Sequence, residues 1–165
     1  CDLRRPQIHS VFDVDKKPGL MDLLSNKANL EDVIRKTKNS KLSFITSGTL
    51  PANPAEVLES RLMKNFLQEI KQLFDIIIID SPPIVAVIDS EILSRLADGT
   101  ILVLSSERTE YKLMNDAIEL INRNNVNFLG TVLNNFQYKS GYGYYYKYYY
   151  NYSQNPNHKS KKNLR

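Results

Sequence analysis

The chain has a single cysteine, Cys1, in 165 residues. That excludes an internal disulfide framework and suits a reducing compartment. There is no run of about 18 apolar residues, which excludes a membrane-spanning helix in this sequence. No basic stretch leads into an apolar one at the start, so no secretory signal is expected. Acid is missing from the last part. From Gln137 onward there are Lys139, Lys147, Lys159, Lys161, Lys162 and Arg165, with no Asp or Glu. Those six cations exceed the +4 of the whole chain, so residues 1–136 carry −2. A nucleic-acid partner would need basic residues organised on a folded surface. Here the part able to fold is mildly acidic, and no nucleic-acid binding is expected.

What is present in excess is tyrosine. Nine of the ten tyrosines fall between Tyr138 and Tyr152. That stretch has no helical or strand periodicity and almost no aliphatic side chain, so it cannot build a core. It offers a row of phenolic hydroxyls on a flexible, basic backbone, a good multi-site target for phosphorylation. The candidate acceptors are Tyr142, Tyr144, Tyr145, Tyr146, Tyr148, Tyr149, Tyr150 and Tyr152. The plainer reading is a low-complexity sticky tail. The expected organisation is one folded domain over residues 1–136, with a disordered tail over 137–165.

The folded part alternates between strand and helix patterns. Pro18 to Arg35 holds one or two helices. Ser40 to Ser47 reads as a short strand. Asn53, Pro54 and Glu56 read as a capping box with proline at the first helical position. One helix should follow, with Val57, Leu58, Leu62, Phe66, Ile70 and Leu73 inward. Asp75 to Asp80 is a continuous branched aliphatic run ending in a carboxylate, the pattern of a buried parallel strand. Asp89 to Leu96 is a short helix, and Thr100 to Ser105 a second buried strand. Glu110 to Asn124 is an amphipathic helix with Leu113, Ala117, Leu120 and Ile121 inward. Phe128 to Leu133 is the last strand. This order predicts an α/β domain with a mostly parallel sheet flanked by helices.

Asp80 carries the sharpest chemical signal. Four branched aliphatics deliver it to the carboxyl end of a strand, where sheets of this class bind ligands. A carboxylate there can hold Mg²⁺, usually through water, beside a nucleotide's phosphates. Ser81-Pro82-Pro83 then turns the chain away. A bare run with an aspartate would more simply be a capped strand end. The prolines and the surrounding alternation favour the metal-binding, Walker B reading. Cys1-Asp2-Leu3-Arg4-Arg5-Pro6 reads by itself as a charged loop.

Taken together, these motifs resemble the cytoplasmic catalytic domain of bacterial tyrosine kinases of capsular and exopolysaccharide synthesis. Cys1 to Pro6 looks like the end of that family's second acidic motif. Lys17-Pro18-Gly19-Leu20, Asn53 to Leu58, Phe74 to Pro83, Asp98-Gly99 and Gly130 to Asn134 sit where the family has their counterparts. The resemblance implies a P-loop ATPase-type fold, incomplete at the amino terminus, that uses Mg²⁺ and ATP. Asp2 and Asp80 match its catalytic, metal-binding aspartates. Arg4 matches a motif arginine without an assigned role. Asp89 holds a typical family position, although a helix N-cap is its simpler role. Asn134 could touch adenine, and a loop-turning role is at least as good.

The resemblance also implies a homo-oligomer whose tail is phosphorylated by a neighbouring subunit. It implies a membrane-spanning co-polymerase or activator, a cognate tyrosine phosphatase, and a location at the inner face of the cell membrane. The phosphate-binding Gly-x-x-x-x-Gly-Lys-[Ser/Thr] occurs nowhere in these residues,. The first aspartate of the acidic motif is missing too. The chain is therefore expected to be a fragment that is inactive alone. The rival readings are a Walker-type ATPase of the partitioning or septum-positioning group, and a non-catalytic regulatory module.

Overall fold

The computed structural model describes residues 1–124 and 126–137. The tyrosine cluster lies outside them. Among the described residues no helix is long and apolar enough to cross a membrane.

The charged opening loop leads to α1 (Ile8–Val11), α2 (Leu20–Leu24) and α3 (Leu30–Val33). β1 (Arg35–Lys36) and β2 (Ser43–Phe44) form a small antiparallel pair. Only these two residues of the expected 40–47 strand are laddered, because the chain beyond them turns to serve α2. The carbonyls of Thr46 and Ser47 accept the Leu20 and Met21 amides at 2.8 and 3.0 Å, satisfying the open first turn of α2,. Gly48, at φ +73°, lets the backbone press against Gly19, where a side chain on either residue would collide,.

α4 (Pro54–Glu59) and α5 (Arg61–Ile70) replace the single helix expected from the sequence. Ser60 takes an extended backbone at the break, and its Oγ accepts the Met63 amide at 3.2 Å, so one serine ends α4 and caps α5,. The break turns the buried stripe to Met63, Phe66, Leu67 and Ile70 and leaves Leu62 and Leu73 more than half exposed. At the start of α4, the Asn53 side chain makes no capping bond to the backbone and instead donates to the Glu56 carboxylate at 3.2 Å. The expected capping box is thus a side-chain pair.

α6 (Asp89–Leu96) packs on α4. Leu3, Leu20, Leu58, Met63, Phe66, Leu67, Ile70, Ile92 and Leu93 form one buried cluster. The core therefore lies among the helices and takes Leu3 from the opening loop.

β3 (Thr100–Ser105) and β4 (Phe128–Asn134) pair in parallel across α7 (Tyr111–Arg123). The register slips by one residue after Thr100, and Gly130, at φ +136°, absorbs the bulge,. β3 is not the buried strand its sequence suggests. Ile101 and Val103 are 54% and 61% exposed, because no described element covers that face. α7 buries Ala117 and Ile121, while Leu113 points outward.

The largest departure is the segment 75–80, which joins no ladder among the described residues. Its side chains still alternate: Ile77 and Ile79 pack against the helical core, while Ile76 and Ile78 are 81% and 88% exposed. A parallel strand buried on both faces needs hydrogen-bonded neighbours and a second covering layer. Here the helices supply one face only.

Candidate functional site

The opening loop is held by three consecutive residues facing three ways. Asp2 folds back on its own chain: its Oδ1 accepts the amides of Arg4 and Arg5 at 3.0 and 2.8 Å. Leu3 is buried in the core. Arg4 reaches across to α6, where its Nε donates to Asp89 Oδ2 and its Nη2 to Asp89 Oδ1, both at 2.8 Å. This bidentate fork is the strongest common pairing geometry of an arginine and a carboxylate. Asp89 is fully buried, while the Arg4 side chain is 41% exposed. The hydrogen bond to Asp89 is the largest influence on the Arg4 guanidinium and raises its pKa against the opposing effect of burial.

Asp89 is therefore not the helix cap its sequence position suggested. Ile88 holds the cap position, no side chain caps there, and Asp89 is the first helical residue. Its carboxylate serves a residue 85 positions earlier. Ser90, next in α6, donates its hydroxyl to the Pro82 carbonyl.

Asp80 is exposed at the end of the 75–80 segment. It lines one groove of about 370 Å³ together with Cys1 and Asp2, with an apolar wall that includes Phe66, Ile70, Ile77 and Ile79. Asp2 and Asp80, the two aspartates singled out from the sequence, thus line the same groove.

Asp80 and Asp2 fit a hard divalent cation. Asp2 spends only Oδ1 on its own backbone. Among the described residues no group of three or more His, Cys, Asp or Glu side chains gathers to form a closed cage. Two carboxylates in an open groove match a Mg²⁺-type ion, which keeps most of its waters and takes phosphate oxygens as further ligands.

Asn134 lies at the carboxyl end of β4, opposite Ser105. Its Oδ1 accepts the Asn135 amide at 2.8 Å, and Asn135 has φ +56°. That is the loop-turning role. The candidate acceptor tyrosines, Tyr142 to Tyr152, lie outside the described residues.

Sequence reasoning missed a second buried carboxylate, beside Asp89. Asp22 accepts the Gly19 amide at 3.0 Å, the Thr49 hydroxyl at 2.7 Å and the Thr49 amide at 3.3 Å. Burial alone would raise its pKa. The bonds from Thr49 and Gly19, with Lys17 nearby, outweigh burial and hold it below the usual carboxylate range. The available signal was Gly19 three residues before an aspartate at a helix start, the spacing of a capping box.

A family model described as an AAA domain matches residues 6–129. The chain is 38% identical over 147 residues to the tyrosine-protein kinase YwqD of Bacillus subtilis (strain 168), covering 88% of this chain and 62% of that protein. It therefore spans about three-fifths of the length of that relative. The crystal structure of the VpsO kinase domain superposes with a TM-score of 0.79 at 30% identity, covering 83% of this chain and 68% of that one. The chimerical protein CapA2B2 gives a TM-score of 0.80 at 31% identity, covering 83% and 61%.

Proposed function

The chain belongs to the bacterial tyrosine kinases built on a P-loop fold, and on that basis we propose that the whole protein transfers the γ-phosphoryl group of Mg-ATP to its own tyrosine cluster. The observation that carries this reading is the shared groove of Asp2 and Asp80, in a chain that also holds Tyr142, Tyr144, Tyr145, Tyr146, Tyr148, Tyr149, Tyr150 and Tyr152. A non-kinase ATPase has no use for such a cluster.

Phosphoryl transfer needs positioned phosphates, neutralised charge and an aligned hydroxyl more than covalent chemistry by the protein. Asp80 and Asp2 would hold the divalent ion, which when bound neutralises charge on the phosphate oxygens. Asp2 is oriented by its own turn, and Asp80 by the packing of Ile77 and Ile79 behind it. Asn134, at the carboxyl end of β4, would be available to the base. The acceptor hydroxyl would come from a neighbouring subunit of a homo-oligomer.

The family relationship extends the proposal to partners. A membrane-spanning activator, a cognate phosphatase, a place at the inner membrane face and a role in capsular or exopolysaccharide export fit a kinase of this type. The 165 residues contain no Gly-x-x-x-x-Gly-Lys-[Ser/Thr], so on this reading they do not hold ATP tightly by themselves. Tight Mg-ATP binding by this chain in calorimetry would contradict that.

The decisive experiment is Asp80→Asn in the full-length protein. It keeps the side-chain volume and removes the charge. Tail phosphotyrosine, read by blotting and mass spectrometry, should fall at least 100-fold while circular dichroism stays unchanged. Phosphorylation at the wild-type level would make Asp80 a structural residue.

A further inference from the structure

The two carboxylate-bearing loops are anchored to the same helical turn. Loop 1–6 reaches α6 through the Arg4–Asp89 fork. Loop 80–88 reaches it through the Ser90 hydroxyl and the Pro82 carbonyl. Asp89 and Ser90 are adjacent residues in the first turn of α6, and both are buried. That turn is itself fixed from behind. Ile92 and Leu93 lie in the core, Arg95 pairs with Glu59 of α4 at 3.7 Å, and Glu91 accepts from Asn124 at the end of α7 at 2.8 Å.

We infer that Arg4, Asp89 and Ser90 are positioning residues that set the separation of Asp2 and Asp80, and so the affinity of the site for its divalent ion. This rests on the metal-binding reading of the two aspartates. The argument is geometric. Arg4 is two residues from Asp2, and Pro82 two residues from Asp80. Among the described residues, neither loop belongs to a ladder that would otherwise fix it. A planar five-donor guanidinium fixes both distance and angle, which a lysine ammonium does not. Groups that orient metal ligands typically change metal affinity by about 10- to 100-fold when altered. A purely structural pair would instead change stability and leave metal affinity alone.

The test uses the full-length protein with Mn²⁺ as the probe. Binding is followed by electron paramagnetic resonance in the presence of ADP. The Mn²⁺ concentration for half-maximal tail phosphorylation is measured separately. Arg4→Lys and Asp89→Asn should each raise both values by about 10- to 100-fold, with phosphorylation at saturating Mn²⁺ close to wild type. Ser90→Ala should move them in the same direction by less. Leu58→Val, a core change in α4, serves as a control that should lower Tm without moving either Mn²⁺ value.

Unchanged Mn²⁺ values in Arg4→Lys would overturn the inference, as would an equal rise in Leu58→Val. If Asp89→Asn fails to fold, Arg4→Lys and Ser90→Ala still decide the matter. Asp80→Asn, measured alongside, separates the two levels of failure. Undiminished Mn²⁺ binding there removes the metal site itself. Loss there with no effect in Arg4→Lys removes only the positioning role.

Discussion

Asp22 shows how much one buried carboxylate can organise. It caps α2 through the Gly19 amide and ties down Thr49 by two bonds, fixing the loop that precedes α4. Its folded pKa lies below the ordinary value. Its contribution is therefore complete above the unfolded carboxylate range, about pH 3.9, and is lost as pH falls through the lower folded value. Asp22→Asn should be less stable than wild type at neutral pH by roughly 1–3 kcal/mol, the scale for disrupting buried hydrogen bonds to a charged group. The gap should close as pH drops below about 4. Thermal melts of both proteins from pH 7 to pH 2.5 check this, and a gap of constant size would assign the effect to side-chain shape. Asp89 teaches a different lesson at the same scale. Its sequence position, at the start of a helix, pointed to a cap. Its function is decided by Arg4, 85 residues away, and no local pattern records such a partner.

At the level of elements, Ser60 deserves the next measurement. Ser60→Ala removes the cap on α5 and should cost about 1 kcal/mol in denaturant unfolding, within the usual range of about 0.5–2. No loss would mean the break between α4 and α5 is held by packing alone. The sequence revealed both helices and their apolar residues, but not the break. An extended serine between two helical stretches is indistinguishable in pattern from a serine on a helix surface. The same limit explains the strands. The run from Ile76 to Ile79 declares that these residues want burial, without saying what buries them. The helices cover Ile77 and Ile79, and no described element covers the other face. In this chain Ile78→Thr should change stability by no more than about 0.5 kcal/mol, whereas Ile79→Ala should cost about 2 kcal/mol, the low end for a core truncation. Equal effects in chemical denaturation would show that both faces are packed. Of the two candidate aspartates, Asp80 stood out by its own strand-end pattern, whereas Asp2 was reached only through the family resemblance. The groove joining them was not legible, since it depends on how α5 and the opening loop meet.

The whole molecule is divided in charge, +6 from Gln137 onward against −2 before it. Each phosphotyrosine adds about −1.5 to −2 at neutral pH, so roughly four would neutralise the tail and more would reverse it. On the proposed function, the unmodified tail is drawn to the acidic body of a neighbouring subunit, and the modified tail is repelled. Light scattering after size exclusion should find larger assemblies for phosphatase-treated full-length protein than for phosphorylated protein. The difference should shrink in high salt as exposed charges are screened. Equal masses in both states would sink the charge switch and leave the kinase reading standing.

The uncovered isoleucine face has a practical consequence for handling the chain by itself. Ile76 and Ile78 stand on an extended, branched aliphatic segment with open backbone edges, the kind of surface that pairs with its own copies. At high concentration this chain is at risk of assembling strand to strand into insoluble material, and a charged residue placed at position 78 is the gatekeeper that would keep it in solution.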